Sequence, residues 1–335
     1  MKQSRVLVLV HRDLVPPDNV KPQEVDRDST EWLTEFDVIY TLSKIGHEVK
    51  VLGVFSDLIE IKKAVDDFKP HVVFNLLEEF DGEVLFDQNV VSYLQLLRVP
   101  YTGCNPRGLM LCRDKALSKK IITYHRVKNP KFYVGAKSKR VKRPKHLDFP
   151  LIVKCNTEEA SLAISQASVV HNEEKLIERL DYINQKIGVD AIIEEFVEGR
   201  ELYVGILGNN RLQALPVWEI VYDNAQKPEK EIYSRNAKWN KRYRERKGIG
   251  TKKAELSPEK EHEIQELCKR IYRALGLNGY ARIDLRISPD GTIYFLEANP
   301  NPNIAWDDEF ALSAKHLKIS YEDLLNKILS IGANN

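Results

Sequence analysis

The chain has 335 residues, 43% of them hydrophobic and 30% charged, with a formal net charge of +2. That length can bury a sizeable core shared among two or three domains, and so small a charge excludes a general attraction to nucleic acid or anionic membrane. The four cysteines form no CxxC pair and none of the eight histidines is spaced to complete a zinc site with them, so reduced, buried thiols are expected.

The first apolar run, Val6 to Val10, is followed at once by His11, Arg12 and Asp13. It is too short for a signal peptide or a spanning helix and reads as a buried strand of a cytosolic (cytoplasmic) protein. Further strands are predicted at His47 to Val54 and His71 to Leu77, with amphipathic helices at Glu31 to Ile45 and Leu58 to Phe68 between them. This β-α-β alternation predicts a small doubly wound α/β domain with a parallel sheet over residues 1–104. His11, Glu79 and Asp87 follow strand ends, where open α/β sheets bind ligands, and are candidate substrate contacts.

A second domain is expected over 105–196. It holds a helix from Asp114 to Thr123, a basic stretch from Lys137 to Lys145, the strand LIVKC (Leu151 to Cys155), a helix from Glu173 to Lys186 and the strand Ala191 to Phe196. Lys154 sits inside the apolar LIVKC, where an unpaired ammonium is costly to bury and a phosphate is a natural partner. Lys115 by itself reads as a surface lysine.

The third region, 197–335, opens with the strand Leu202 to Leu207 and contains a polar excursion from Tyr222 to Leu256, long enough to serve as a functional flap. A helix from Glu259 to Leu275 leads to the most informative stretch, YARIDLRISPDGTIYFLEANPNPN (Tyr280 to Asn303). Its Ser-Pro-Asp-Gly turn signal predicts an antiparallel hairpin. With Pro289 and Asp290 as the turn residues, Arg282 lies opposite Glu297, with Asp284 diagonal and Asn299 on the same face. Ile283, Leu285, Ile287 and Leu296 then form the core face. Asp284, Glu297 and Asn299 offer oxygens suited to Mg²⁺, and two ions sharing Glu297 would neutralise a triphosphate. Arg282 would stabilise an oxyanion. In AIIEEFVEGRELYVGIL (Ala191 to Leu207) an acidic crossover turns at Gly199 and could offer its backbone to a purine and a carboxylate to ribose hydroxyls.

Together these residues resemble the D-alanine–D-alanine ligase branch of the ATP-grasp superfamily. The matching pieces are PYTGCNPRGLMLCRDKALSKK, PLIVK, EEFVEGREL and GYARIDLRISPDGTIYFLEANPNPN, which occur in the family's order. The resemblance implies a three-domain ATP-grasp fold, α+β in its ATP-grasp part. It implies that Lys115 and Lys154 hold the nucleotide phosphates, that Glu194, Glu195, Phe196 and Val197 meet the adenine, and that Glu201 holds the ribose. Asp284, Glu297 and Asn299 would be the magnesium ligands, with Mn²⁺ able to substitute, and Arg282 would act on the transition state. Ala237-Lys238-Trp239 resembles the family's Ala-Lys-Tyr in its flap, so Lys238 becomes a γ-phosphate contact and Trp239 a substrate contact.

Departures cluster on the substrate side. The Gly-rich, Glu-bearing segment after the family's first strand is replaced by HRDLVPPDNV. The family's serine after the strand lysine falls on Ala160, with Ser161 beside it as the nucleotide-side candidate. Where the family has small hydroxyl residues that hold a carboxylate, this chain has Trp306-Asp307-Asp308-Glu309. Asp307 and Asp308 would attract an amine or guanidine.

The function expected is therefore an ATP-dependent carboxylate–amine ligase acting through an acyl phosphate, with small-molecule or peptide substrates other than D-alanine, and the resemblance suggests a homodimer. An ATP-dependent phosphotransferase is the alternative within the same fold. A non-catalytic binding module is the alternative outside it, since KRYRERKGIGTKK (Lys241 to Lys253) interleaves Tyr243 with bases, although no recognised nucleic-acid motif accompanies it.

Overall fold

The computed structural model describes residues 3–137, 143–157, 164–234, 237 and 240–334. β1 (Arg5–His11), α1 (Leu33–Lys44), β2 (Glu48–Val54), α2 (Leu58–Phe68) and β3 (Val72–Asn75) build a parallel sheet in the order β2-β1-β3, followed by α3 (Asp87–Leu96). The unbroken apolar run of β1 is buried on both faces because it is the central strand. Leu7 and Leu9 pack in one core with Ile61 of α2 and Leu94 of α3. Val6, Val8 and Val10 pack in another with Val38 and Leu42 of α1.

Next come α4 (Pro106–Arg113) and α5 (Lys115–Tyr124), separated by Asp114, which caps α5 by accepting the Leu117 N–H at 2.9 Å. β4 (Phe132–Gly135), β5 (Leu151–Cys155), β6 (Val169–Val170), α6 (Glu173–Asp181) and β7 (Ala191–Glu195) form an antiparallel layer in the order β4-β7-β5-β6. It has a core of its own, including Val153, Leu176, Leu180 and Ile193. The predicted helix from Glu173 is α-helical only to Asp181; it continues as a π-turn, Tyr182–Ile187, and stops at Gly188, whose φ is 85°.

The third layer comprises β8 (Arg200–Leu207), β9 (Gln213–Ala214), β10 (Trp218–Tyr222), α7 (Lys241–Lys247), β11 (Ile249–Lys253), α8 (Pro258–Ala274), β12 (Tyr280–Ile287), β13 (Ile293–Pro300), α9 (Glu309–His316) and α10 (Tyr321–Gly332). Its antiparallel sheet runs β11-β10-β8-β12-β13, with β9 on β8. The excursion expected from Tyr222 to Leu256 is shorter than predicted, because β11 returns along β10. Its base is closed by Asp223 N–H donating to the Gly248 carbonyl at 3.0 Å. Packing also crosses the sequence boundary at residue 104, since Leu324 and Ile328 of the last helix share a core with Val6 and Val8. No helix among the described residues is long and apolar enough to cross a membrane. All four cysteines are buried thiols, and burial pushes the Cys104 thiol up to about 12.

Candidate active site

On β12, Ala281, Ile283, Leu285 and Ile287 enter the core, so Arg282, Asp284 and Arg286 project from the opposite face. The hairpin register differs from the expected one. Its loop runs from Ser288 to Thr292, and Ile287 pairs with Ile293. Beyond it Leu285 faces Phe295 while Asp284 faces Glu297, leaving Leu296 as an extra residue in a bulge. Asp284, not Arg282, therefore stands opposite Glu297, and Arg282 stands opposite Asn299. Nor is Leu296 in the core, where Phe295 and Ala298 take its expected place. The extra residue reverses the alternation, so both Leu296 and Glu297 reach the polar face.

A cleft opens over that face, lined by Arg282, Asp284, Leu296, Glu297 and Asn299. Asp284 accepts from Arg282 Nε at 2.8 Å and Nη2 at 3.0 Å, and from Asn299 Nδ2 at 2.8 Å. Burial, reinforced by Glu297 and Glu201 and opposed by Arg282, pushes its carboxyl up to about 7. The Arg282 guanidinium lies 4.4 Å over the Tyr203 ring, with Nη1 3.9 Å from Glu309. Two carboxylates and an amide oxygen on adjacent strands fit a hard divalent cation such as Mg²⁺.

Across the cleft the lysines converge. Lys154 of β5 lies 3.0 Å from Glu194 Oε2, and Lys115 at the start of α5 lies 3.7 Å from Glu297. Glu194 is also 3.0 Å from Lys119. Its carboxylate, in the cleft wall, is thus held by two ammonium groups. Lys119 is missing from the sequence-based set. The signal was present: α5 buries Lys115, Ala116, Ser118, Lys119 and Ile122, which places Lys119 on the helix's inward face. Asn156 fixes this helix to the end of β5 by accepting the Ala116 N–H at 3.0 Å and donating to Asp114 at 3.0 Å.

The crossover from β7 to β8 forms the third wall. Glu195 is turned to Lys131 at 3.1 Å, the Phe196 N–H donates to the Pro150 carbonyl, and Glu201 accepts from Arg286 at 2.7 Å and from Tyr203 at 3.0 Å. Gly199 has φ 142°, and a Cβ there would stand 2.1 Å from the Ile287 carbonyl oxygen, so only glycine lets the crossover lie against β12.

The substrate candidates fare differently. His11 Nε2 is 3.4 Å from Glu79, together at the end of β1. Asp87, the first residue of α3, is buried and neutralised by Arg113 of α4 at 2.6 Å, and it is not among the residues lining the cleft. Asp307 is taken up by Arg27 at 2.6 Å, and Arg27 also binds Asp37 at 2.8 Å, so Asp307 does not present itself to an amine as expected. Asp308 stays beside Glu309 and near Arg282; burial, then Glu309, pushes its carboxyl well up. Ser161, Lys238 and Trp239 lie outside the described residues. Within KRYRERKGIGTKK, the last basic residues lie in β11, Arg246 lies 5.2 Å over the Tyr243 ring, and Lys247 pairs with Glu231 at 2.8 Å.

A family profile described as "D-ala D-ala ligase C-terminus" matches residues 116–330. A D-alanine–D-alanine ligase of Aquifex aeolicus is 30% identical over 294 residues, covering 88% of this chain and 92% of the relative. An uncharacterized protein of Sinorhizobium fredii is 30% identical over 302 residues, covering 88% and 85%. Among solved structures, D-alanine–D-alanine ligase from Bacillus anthracis complexed with ATP superposes with a TM-score of 0.75 at 23% identity, covering 99% of this chain and 98% of that one. The VanG D-Ala:D-Ser ligase from Enterococcus faecalis gives 0.70 at 19% identity, covering 98% and 99%.

Proposed function

This chain belongs to the D-alanine–D-alanine ligase family, and from that premise we propose that it is a carboxylate–amine ligase that spends ATP through an acyl phosphate on substrates other than two D-alanines. Membership makes it an ATP-grasp carbon–nitrogen ligase that forms ADP and phosphate. The observation that supports the finer reading is the convergence of Lys115, Lys154, Arg282, Asp284, Glu297 and Asn299 on one cleft.

In the proposed reaction Lys115 and Lys154 bind the phosphate chain, and Glu201 receives the ribose. Asp284, Glu297 and Asn299 would hold two Mg²⁺ ions, or Mn²⁺ in their place, which supply charge neutralisation to the phosphates when bound. A substrate carboxylate takes the terminal phosphoryl group, an amine adds to the acyl carbon, and phosphate leaves. Arg282, fixed in the cleft by Asp284, donates to the oxyanion of the tetrahedral adduct. Closure of the segment between β10 and β11 excludes water from the acyl phosphate.

Different substrates are supported by the replaced segment after β1, HRDLVPPDNV, and by the acidic pair Asp308 and Glu309 beside Arg282. With Asp308 held toward its neutral form, Glu309 carries the charge of that corner, which favours an amine-bearing acceptor. The test is Mg²⁺-dependent release of ADP and phosphate across a panel of carboxylates and amines, with D-alanine included, beside Glu297→Gln. Turnover that needs both substrates and disappears in the variant supports the ligase. ADP release with phosphate retained on an acceptor would instead establish a phosphotransferase, and efficient D-alanine dimer synthesis would overturn the proposed change of substrate.

A further inference from the structure

Arg286 projects from the same face of β12 as Arg282 and Asp284, and its side chain is 5% exposed. One guanidinium makes three contacts. Nη2 donates to Glu201 Oε2 at 2.7 Å and to the Glu231 carbonyl at 3.0 Å, and Nη1 donates to the Val197 carbonyl at 3.0 Å. The guanidinium carbon stands 5.4 Å over the Phe196 ring. These acceptors belong to three separate pieces of chain: β8, the crossover before it, and the root of the segment that leaves β10.

Glu231 extends the arrangement. Its side chain accepts from Lys247 of α7 at 2.8 Å and from Gln166, on the β5–β6 connection, at 3.0 Å. Next to it Lys230 pairs with Glu198 of the crossover at 3.0 Å. The root of the flap is therefore tied to the crossover on one side and to the central layer on the other, and Arg286 is the buried member of this set.

We propose that Arg286 is a positioning residue for the nucleotide: it holds Glu201 in the orientation that meets the ribose and seats the flap root at Glu231 with the same guanidinium. The planar fork suits this task, because its donors are fixed relative to one another and bind several acceptors at once. A lysine keeps the charge but loses the geometry. Burial makes the link strict, since an Arg286 replaced by an apolar side chain leaves Glu201 in the cleft wall without its cation.

This inference rests on the reading of the cleft as an ATP site, and the experiment separates the two. Binding of a non-hydrolysable ATP analogue and of its 2′-deoxy and 3′-deoxy forms, with Mg²⁺, is measured calorimetrically on the full chain and on Arg286→Met, Arg286→Lys and Glu201→Ala. Failure of the unaltered protein to bind any of them refutes the ATP site itself. If the inference holds, Arg286→Met weakens the ribo analogue about tenfold or more and largely abolishes discrimination against the deoxy forms. Arg286→Lys recovers part of that discrimination, and Arg286→Met adds nothing to the discrimination already lost in Glu201→Ala. A folded Arg286→Met that keeps the ribo preference overturns the proposal, as does an equal loss for all three analogues, which marks a purely structural arginine. Should Arg286→Met fail to fold, Arg286→Lys decides on the same ratio: an unaltered preference overturns the proposal and a reduced one supports it.

Discussion

Lys119 Nζ lies 3.0 Å from one carboxylate oxygen of Glu194, with both side chains only 1% exposed, while Lys154 holds the other oxygen at 3.0 Å. Burial opposes the Glu194 charge, but the two ammonium groups outweigh it and bring the carboxyl down to about 2. For Lys119 burial wins and its pKa falls; for Lys154, at the cleft, the opposing attraction of Glu194 and Glu297 wins and its pKa rises. The triad thus has one lysine that braces the carboxylate from behind and one that stays charged toward the cleft.

Glu194→Gln leaves both ammonium groups facing a neutral amide and should cost about 3–5 kcal/mol at neutral pH. A depressed carboxyl contributes stability above its ordinary value of 4.5 and loses it as pH falls toward 2. Urea midpoints of the unaltered and variant chains should therefore differ most at neutral pH and converge below 4.5. Parallel curves over that range would contradict the ion-pair account.

Glu35, in the first turn of α1, titrates with the opposite sign. Burial, with some repulsion from Glu78, pushes its carboxyl up to about 7. The folded chain therefore prefers the protonated form, so this group's contribution is full below 4.5 and is lost as pH rises through 7. Glu35→Gln should be nearly neutral in acid and stabilising by up to about 3 kcal/mol at slightly alkaline pH. Thermal melts at the two pH values check it, and an equal effect at both would count against a buried, ionised Glu35.

The bulge in β13 separates two neighbours by function. Phe295 is fully buried in the core, whereas Leu296 lines the cleft. Phe295→Ala should cost about 3–5 kcal/mol of stability. Leu296→Ala should leave the unfolding midpoint nearly unchanged and weaken binding of a non-hydrolysable ATP analogue several-fold. The reverse pattern would mean that the regular two-residue turn, without a bulge, describes the hairpin.

Magnesium should act through the hairpin carboxylates. With the analogue present, saturating Mg²⁺ is expected to raise the melting temperature of the unaltered chain by about 5 °C. Glu297→Gln and Asn299→Leu should lose the metal-dependent part, and Mn²⁺ should reproduce it in the unaltered chain. A full metal-dependent shift in both variants would place the ions elsewhere.

Local pattern made much of this legible. The apolar run of β1, the span Leu58–Phe68 of α2 and the strand Leu151–Cys155 were readable because each satisfies one periodicity over its whole length. α3, α4 and the pair β10–β11 were not proposed, since short mixed-composition segments take their structure from neighbours. The chemistry-bearing residue types of the hairpin could also be read, because alternation sends Asp284 and Arg282 to one face whatever the turn.

Sequence by itself determined the class of fold, the order of its parts and many of the residue types that line the cleft, because period-two and period-3.6 patterns are local properties of the chain. Only the tertiary structure decided which partner each charge has. Asp87 is taken by Arg113, Asp307 by Arg27, Glu194 by Lys119 and Lys154, and Glu201 by Arg286. These pairs join residues far apart in sequence, and a carboxylate's role in a cleft depends on which cations burial forces beside it. The bulge at Leu296 is likewise a tertiary decision: one extra residue is the way to put Phe295 and Ala298 in the core while Glu297 faces Asp284.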